Sequence, residues 1–262
     1  MAELQIRFDD GAAYEQMMGA WSRIAGETFI DWLAPRSGLR WVDIGCGNGA
    51  FTELIVERCS PAEVQGIDPS EGQLDYARKR HAAGVAKFGQ GEATALPFSD
   101  GSFDAASMAL VIFFVPDPPK GVREMVRVVR PGGSVAAYAW DMVGGGFPLE
   151  PVLAEMRAAN LPTLLPPRFE VSRMEALRDL WTDAGLVDVE TREIAVRRKF
   201  ADFEEYWRVS TLGSQIGPTI AAMPPADAAA LKEKVRIRLN ADREGRFVHG
   251  ALANAVKGRV PE

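Results

Sequence analysis

A turn of three alternating glycines constrains this chain more than any other feature. Gly45, Gly47 and Gly49 follow the apolar segment 41–44. After the turn, apolar residues recur at helical spacing over residues 51–59. Glycine lets a backbone turn tightly and approach a ligand closely. A strand, a glycine turn and a helix in this order predict a nucleotide-type cofactor site.

The glycine turn fits two cofactors. Gly45-x-Gly47-x-x-Ala50 satisfies the dinucleotide pattern, and Asp68 ends the next predicted strand, where a ribose-binding carboxylate is expected. This pattern is compatible with NAD and with S-adenosylmethionine.

Acidic residues at successive strand ends favour S-adenosylmethionine. Asp43 lies two residues before the first glycine, and no Lys or Arg occurs over residues 41–56. A pyrophosphate would meet this negative charge with nothing to offset it, whereas the ammonium and sulfonium of S-adenosylmethionine are attracted by it. Asp68 and Glu92 follow at the ends of the second and third predicted strands.

Two later segments complete an ordered series of motifs. They are LPFSDGSFD at residues 96–104 and VVRPGG at residues 128–133. Over about residues 40–141 the series resembles the class I S-adenosylmethionine-dependent methyltransferases. It is most similar to the small-molecule branch related to ubiquinone and menaquinone biosynthesis (type 11 domain). The resemblance implies S-adenosyl-L-methionine as cofactor, S-adenosyl-L-homocysteine as product and a small-molecule methyl acceptor.

The resemblance also implies a cofactor-binding role for each motif residue. Gly45 and Gly47 would cradle the methionine part, while Asp43 orients its amino group directly or through water. Asp68 would accept hydrogen bonds from both ribose hydroxyls, and Glu92, where relatives often have Asp, would receive the adenine amino group. The full implied set is Tyr14, Asp43, Gly45, Cys46, Gly47, Asn48, Asp68, Pro69, Gln73, Glu92, Ala93, Met108 and Ala109.

The alternation of strand and helix patterns predicts a doubly wound α/β layer. Strands are expected at residues 41–45, 63–68, 85–90, 103–112, 134–140 and 186–196, and the basic run 197–199 is expected to be a solvated strand end. A helix is expected over residues 70–82, and further helices are expected to begin at caps formed by Asp117, Ser172 and Asp202. The helix that Asp117 opens is expected to stop at the breaker 130–133. The resemblance implies a Rossmann-like, mostly parallel seven-stranded sheet with an antiparallel edge hairpin and a helical cap.

Six segments are expected along the chain. They are an N-terminal helical cap (1–35), the cofactor-binding core (36–142), an insertion over the active site (143–173), a core helix with strand six (174–199), a helical lid insertion (200–245) and the final strand and tail (246–262).

Composition limits the other function classes. The net charge of −6 and the pI near 5.2 argue against a nucleic-acid partner. No signal peptide or membrane-spanning run is evident. Two cysteines and two histidines predict neither a disulfide framework nor a metal site, and a cytoplasmic location is the default.

The residues after the fourth predicted strand indicate the class of methyl acceptor. Residues 107–114 lack the Asn/Asp-Pro-Pro-Tyr signature of amide and nucleobase N-methyltransferases. Phe113 and Phe114 offer an apolar wall, and Tyr206 and Trp207 lie in the expected lid. We therefore expect an apolar or aromatic small molecule, methylated on oxygen or carbon.

No general base can be assigned from the sequence. His249 alternates with apolar residues in the last predicted strand, which favours a structural histidine over a catalytic one. His81 follows a basic helix end and is expected to be a solvated cap, while Tyr14, Tyr138 and Tyr206 stay open as candidates. An NAD-dependent oxidoreductase and a non-enzymatic S-adenosylmethionine-binding module remain as alternatives.

Overall fold

A seven-stranded sheet organises the chain in its computed structural model, which describes residues 15–212, 216–239 and 247–262. The strands are β1 (Arg40–Ile44), β2 (Glu63–Asp68), β3 (Ala86–Gln90), β4 (Phe103–Ala109), β5 (Val129–Trp140), β6 (Val187–Phe200) and β7 (Phe247–Arg259). Their order is β3-β2-β1-β4-β5-β7-β6, with β7 antiparallel to both neighbours and the first five strands parallel. The predicted fold class and edge hairpin are confirmed.

Helices cover both faces of the sheet. They are α1 (Ala20–Leu33), α2 (Ala50–Cys59), α3 (Glu71–Ala77), α4 (Pro118–Val128), α5 (Glu150–Ala158), α6 (Met174–Asp183), α7 (Phe203–Ser210), α8 (Ile216–Ala221) and α9 (Pro225–Leu239). A π-helical turn, Glu15–Gly19, precedes α1. None of the helices in the described ranges is long and apolar enough to cross a bilayer.

Strand β5 separates two apolar cores. Ala136 and Tyr138 belong to the core shared with α1 and α2, whereas Val135 and Ala137 belong to the core shared with α4 and α6. Burial on both faces is typical of a parallel strand in a doubly wound fold. The buried indole of Trp181 donates to the Val135 carbonyl at 2.9 Å, which fixes α6 on the sheet.

Three of the expected helix caps can be checked. Asp117 accepts a hydrogen bond from the Lys120 amide at 3.0 Å, and Asp202 accepts one from the Glu205 amide at 2.8 Å. These two caps are confirmed. The cap expected at Ser172 is wrong, because its hydroxyl donates to the Phe169 carbonyl and α6 begins two residues later.

Two predicted elements end earlier than expected. The strand predicted over 103–112 ends at Ala109, where Leu110 takes a left-handed φ of 62° and the chain enters a short 3-10 helix, Ile112–Phe114. The pattern misled because a buried apolar run has no periodicity that separates strand from turn. The helix predicted over 70–82 ends at Ala77.

Two other predicted boundaries are also corrected. The segment 130–133 lies inside β5 as an irregularity, because the register with β4 shifts there. The strand predicted over 186–196 continues to Phe200. Within it, Arg198 is half-buried over the Phe200 ring and donates to the Met17 carbonyl, so the expected solvated basic run is wrong at this residue.

An aromatic cluster joins α1 to the C-terminal part of the chain. Trp21 contacts Phe200 and His249, with ring centroids 6.2 and 5.6 Å apart. Tyr206 of α7 contacts His249 and Phe247 at 5.5 Å. The described start of the predicted lid therefore packs against α1.

Gly66, in the middle of β2, provides a test of the core. A Cβ there would lie 2.6 Å from the Phe88 ring and 3.0 Å from the Cys46 sulfur. We expect Gly66→Ala to lower the free energy of unfolding by about 1–3 kcal/mol, because overpacking forces neighbours to shift. Gly72→Ala in α3 is the matched control, since only Ser70 Oγ comes within 4.0 Å. Chemical denaturation that found the two variants equally stable would contradict this packing.

Candidate functional site

A cavity of about 460 Å³ opens at the carboxyl ends of β1, β2 and β4. This is the edge at which ligands bind in doubly wound sheets. The residues predicted from sequence that line the cavity are Asp43, Gly45, Cys46, Gly47, Asn48, Asp68, Pro69, Gln73, Glu92, Ala93 and Ala109. The fold therefore brings together residues that are spread over more than sixty positions.

Two predicted residues are not part of this lining. The Met108 side chain is fully buried in the core, and the cavity wall is instead formed by Ala109, Leu110 and Val111. Tyr14 lies outside the described residues. The cofactor roles of the individual residues stay predictions.

Glycine is needed at Gly45 and at Gly47 for different structural reasons. Gly45 and Gly47 have φ values of 71° and 52°, in the left-handed region that favours glycine. A Cβ at Gly45 would lie 2.4 Å from the Val111 side chain, whereas a Cβ at Gly47 would meet nothing within 4 Å. Gly45 therefore admits the chain after β4, and Gly47 leaves space open beside the cavity.

Backbone amides tie the start of the turn to the end of β2. The amides of Gly45 and Cys46 donate to the Ile67 carbonyl at 2.7 and 3.0 Å. The amide of Gly47 donates to Asp68 Oδ2 at 2.9 Å. These three amides are therefore engaged in hydrogen bonds within the protein.

The end of the turn is tied in the same way. The Gly49 amide donates to the Cys46 carbonyl at 2.9 Å, and the Ala50 amide donates to Asn48 Oδ1 at 3.2 Å. The Asn48 carbonyl accepts from Arg80 Nε at 2.7 Å. Internal hydrogen bonds thus hold the whole turn in place before any ligand contacts it.

Asp68 is part of this framework and also borders the cavity. Its Oδ1 accepts from the Ser70 amide at 2.9 Å, as Oδ2 does from Gly47. Burial raises the pKa of Asp68, and the two amide bonds oppose that rise. Each carboxylate oxygen keeps a further lone pair, so the partly exposed group can still accept hydrogen bonds from a ligand.

Asp43 is fully buried at the inner wall of the cavity. Its carboxylate accepts hydrogen bonds from Thr52 Oγ1 at 2.6 Å and from Ser107 Oγ at 3.4 Å. Burial raises the pKa of Asp43 from 3.8 to about 7, and the two hydroxyls counteract part of this rise. No motif or spacing marks Thr52 or Ser107 in the sequence, because only the fold brings them to Asp43.

Two arginines that the sequence analysis missed also line the cavity, Arg23 and Arg80. Residues 41–56 contain no basic residue, but these two arginines from other parts of the chain lie beside the turn in the folded protein. Arg80 pairs with Glu53 at 2.8 Å, and both side chains are only 15% exposed. Arg23 of α1 is 52% exposed and pairs with Glu57 at 2.9 Å.

The expected apolar wall is present only in part. Phe114 lines the cavity with Val111, Val115 and Tyr138. Phe113 is buried in the core and only touches Phe114, with ring centroids 4.8 Å apart.

Of the predicted covering segments, the N-terminal helical cap contributes Gly19, Ser22 and Arg23 to the lining, whereas the insertion and the lid contribute no described residue. Among the residues that the structure describes, none from 143–173 or from 200–239 borders the cavity. Tyr206 is fully buried in the aromatic cluster, and Trp207 stacks on Phe203 with ring centroids 6.2 Å apart. The insertion and lid assignments stay predictions.

The surroundings of His249 indicate a structural histidine. It lies outside the cavity lining, and its Nε2 is 3.0 Å from the Pro148 carbonyl oxygen. Burial lowers its pKa. The segment around His81 forms a 3-10 helix, His81–Gly84. Within the described ranges, no three His, Cys, Asp or Glu residues are grouped so that they could hold a metal ion.

Comparisons with known proteins agree with this architecture. Residues 42–137 match the family model described as a methyltransferase domain. The chain is 37% identical over 131 residues to a ubiquinone/menaquinone biosynthesis C-methyltransferase of Paracoccus denitrificans, covering 48% of this chain and 52% of the relative. It is 32% identical over 154 residues to a malonyl-[acyl-carrier protein] O-methyltransferase of Erwinia pyrifoliae, covering 54% and 55%. The chain spans about half the length of these curated relatives.

Solved structures share the fold at low sequence identity. The YcgJ protein of Bacillus subtilis superposes with a TM-score of 0.59 and 19% identity, covering 91% of this chain and 98% of that one. Phosphoethanolamine N-methyltransferase 2 of Haemonchus contortus, solved with S-adenosyl-L-methionine, gives a TM-score of 0.60 and 19% identity, covering 97% and 57%.

The family match covers the central part of the sheet, and the fold agrees with it. Residues 42–137 form a class I S-adenosylmethionine-dependent methyltransferase domain, as the ordered motifs predicted. Within that class, the chain resembles the ubiquinone and menaquinone biosynthesis methyltransferases.

The buried carboxyl of Asp43 predicts a pH dependence of stability. Its folded-state pKa of about 7 lies above the unfolded value of 3.8, so the folded protein holds this proton more tightly. The resulting stabilisation is complete below pH 4 and is lost as the pH rises to 7. Relative to Asp43→Asn, the free energy of unfolding of the wild type should fall by about 2–4 kcal/mol between pH 4 and 8.

Denaturation curves of both proteins at several pH values measure this difference. Asp179→Asn, an exposed change on α6, serves as the control and should show no such trend. A pH-independent difference between wild type and Asp43→Asn would mean that folding does not raise the pKa of Asp43.

Proposed function

We propose that this protein transfers the methyl group of S-adenosylmethionine to a small molecule. The observation that carries the proposal is the cavity in which the glycine turn meets Asp43, Asp68 and Glu92 at three successive strand ends. The match of the central domain to methyltransferases supports it. The ammonium of the cofactor's methionine part and the hydroxyls of its ribose would be matched by an acidic surface of this kind.

The residues fit the cofactor by charge and by space. Asp68 would accept the ribose hydroxyls with its remaining lone pairs, as a charge-assisted contact. Glu92 and Ala93 border the cavity on the far side, where the adenine would lie. The open space beside Gly47 admits the methionine part without a steric clash.

Methyl transfer requires mainly positioning from this chain. When bound, S-adenosylmethionine supplies an electrophilic methyl group on a sulfonium. The protein's part is to hold the acceptor in line with that methyl group and to keep water out, which can account for much of the rate. Ser22 and Gly19 of the N-terminal helical region form one wall of the cavity and would exclude water there.

The apolar wall supports an apolar or aromatic acceptor. Phe114, Val111, Val115 and Tyr138 surround the space beside the turn. No histidine lies among the described lining residues, whereas Tyr138, one of the open candidates for a general base, does.

The two alternative functions are less well supported. A pyrophosphate of NAD would bring its negative charges to the part of the cavity that Asp43 and Asp68 line. Arg80, the cation held at the turn, is paired with Glu53. A non-enzymatic binding module would bind the cofactor without turning over any acceptor.

Isothermal titration with S-adenosylhomocysteine, and with NADH in parallel, tests the proposed cofactor. Saturable binding of S-adenosylhomocysteine alone is expected. Binding of NADH alone would replace the methyltransferase by the oxidoreductase.

The ribose assignment predicts the effect of Asp68→Ala. Loss of a charge-assisted hydrogen bond should weaken binding of S-adenosylhomocysteine by about 1.5–3 kcal/mol. Because Asp68 also holds Gly47 and Ser70, thermal unfolding must show that the variant stays folded. Asp179→Ala is the control, and unchanged affinity in Asp68→Ala would contradict the assignment.

The acceptor assignment predicts the effect of Phe114→Ala. Turnover of a panel of phenols and quinols should show a KM raised about tenfold, because part of the apolar wall is removed. The affinity for S-adenosylhomocysteine should change little. Ile237→Ala, exposed on α9, is the control. Turnover of charged amines only would rule out the apolar acceptor class.

A further inference from the structure

The apolar wall of the cavity is built on a short piece of chain that has few hydrogen bonds of its own. Phe114, Val115 and Pro116 follow β4 and line the cavity. The 3-10 helix that carries Phe114 spans only three residues, Ile112–Phe114. Its last hydrogen bond, from the Val115 amide to the Ile112 carbonyl, is long at 3.3 Å. Because 3-10 helices have poor hydrogen-bond geometry, contacts from outside this piece are needed to fix the wall.

Arg168 supplies two of these outside contacts. Its amide donates to the Phe113 carbonyl at 3.0 Å, and its Nε donates to the Pro116 carbonyl at 3.0 Å. The two carbonyls lie on either side of Phe114 and Val115 in the chain. Arg168 therefore holds both ends of the wall, although it is not among the described residues that line the cavity.

No carboxylate competes for the side chain of Arg168. None of the ion pairs between described residues includes its guanidinium. A hydrogen bond with a charged donor is stronger than a neutral one, which favours the contact with the Pro116 carbonyl. The side chain is exposed, so removing it leaves no buried group of its own unpaired. A variant at this position is therefore expected to stay folded.

A buried anchor fixes the chain next to Arg168. The turn that follows is the 3-10 helix Phe169–Ser172, whose last residue is fully buried. The Ser172 carbonyl accepts from Asn254 Nδ2 of β7 at 2.9 Å, and the Ser172 hydroxyl accepts from the Met142 amide at 3.2 Å. Breaking such bonds is costly, because it leaves buried polar groups unpaired. The sheet thus fixes the position of Arg168, and Arg168 fixes the wall.

The glycine turn on the cofactor side does not depend on Arg168. The amides of the turn donate to the end of β2 and to the turn itself. The described hydrogen bonds of Arg168 reach neither the turn nor the strand-end acids Asp43, Asp68 and Glu92. A change at Arg168 should therefore act on the acceptor part of the cavity and spare the cofactor part.

We propose that Arg168 is a positioning residue for the methyl acceptor and acts on it through the backbone of residues 113–116. The proposal rests on the proposed function, since it assigns the wall that carries Phe114 to the acceptor. A wall held at both ends keeps the Phe114 ring in one place, which favours the in-line geometry that methyl transfer needs. Residues 143–173 would then shape the acceptor part from behind the wall, without bordering the cavity.

Two variants with side chains of similar length test the bond to Pro116. In Arg168→Gln an amide N–H takes the position of Nε, whereas Arg168→Met has a methyl group there. For the phenols and quinols that the wild type turns over, Arg168→Met should raise KM about three- to tenfold and lower kcat by no more than about threefold, the scale of one hydrogen bond. Arg168→Gln should recover most of this loss. The affinity for S-adenosylhomocysteine should stay within about twofold in both variants, because distant sites act independently.

Coupling to Phe114 separates positioning of the wall from general support of the domain. If Arg168 acts through the wall, Arg168→Met should raise KM no further in the Phe114→Ala background, because the ring that it positions is gone. The effects of two independent substitutions would multiply instead.

Hydrogen exchange tests the same contact without any turnover. In the ligand-free protein, the amides of Phe114 and Val115 should exchange about three- to tenfold faster in Arg168→Met than in the wild type, since the wall opens more often. The amides of residues 45–50 should exchange at unchanged rates.

Arg178→Met is a matched control. Arg178 is also exposed and donates to a single partner, Thr191 Oγ1 at 3.1 Å, but this contact joins α6 to β6. The control variant should leave KM, the affinity for S-adenosylhomocysteine and the exchange at Phe114 unchanged.

The outcomes separate this proposal from the proposed function. Unchanged exchange at Phe114 in a folded Arg168→Met protein would overturn it, and so would effects that multiply with those of Phe114→Ala. A loss of S-adenosylhomocysteine affinity as large as the rise in KM would overturn it too, because Arg168 would then support the whole site. If the wild type does not bind S-adenosylhomocysteine, the proposed function itself fails, while the exchange rates still decide whether Arg168 holds the wall.

Discussion

The candidate site depends on the way in which the glycine turn is fastened to the end of β2. The carbonyl of Ile67 and the carboxylate of Asp68 receive amides from the turn, so β1 and β2 fix its shape together. Gly45 lets Val111 approach from the end of β4, which adds the third strand to the same edge. This close approach of Val111 requires a glycine at position 45, and so does the left-handed φ of the residue. The cavity is therefore a consequence of backbone hydrogen bonding and close packing.

The second constraint is the position of α1. A Cβ at Gly26 would lie 2.9 Å from Leu54 and 3.3 Å from the Tyr138 hydroxyl, so this glycine allows α1 to pack closely on α2 and β5. On its other side, α1 carries Trp21 into the aromatic cluster with His249. The segments after β6 can therefore influence the cavity through α1, although their described residues do not line it. A substitution in that cluster would therefore shift α1 and with it the wall of the cavity.

The sequence predicted the parallel core well because its signals are local. The glycine turn, the strand-end acids and the caps at Asp117 and Asp202 each depend on a few neighbouring residues. The end of β4 was misjudged because the apolar run after Ala109 is buried in a turn instead of a strand. The site residues missed by the sequence analysis have a different origin. Arg23 and Arg80 lie far from the turn along the chain and reach it only through α1 and the segment after α3. Thr52 and Ser107 converge on Asp43 from α2 and β4, where neither motif nor spacing marks them.

Charge connects stability and function at this site. Asp43 is buried with two hydroxyl partners and no cation among its described hydrogen bonds and ion pairs, so the folded protein favours its neutral form up to about pH 7. A positively charged ligand would reverse that preference, because an opposite charge nearby stabilises the carboxylate. Groups whose pKa is shifted by burial inside a cavity often mark functional sites. If S-adenosylmethionine binds as proposed, the burial that makes Asp43 costly to ionise in the free protein would favour a cation at the inner wall of the cavity.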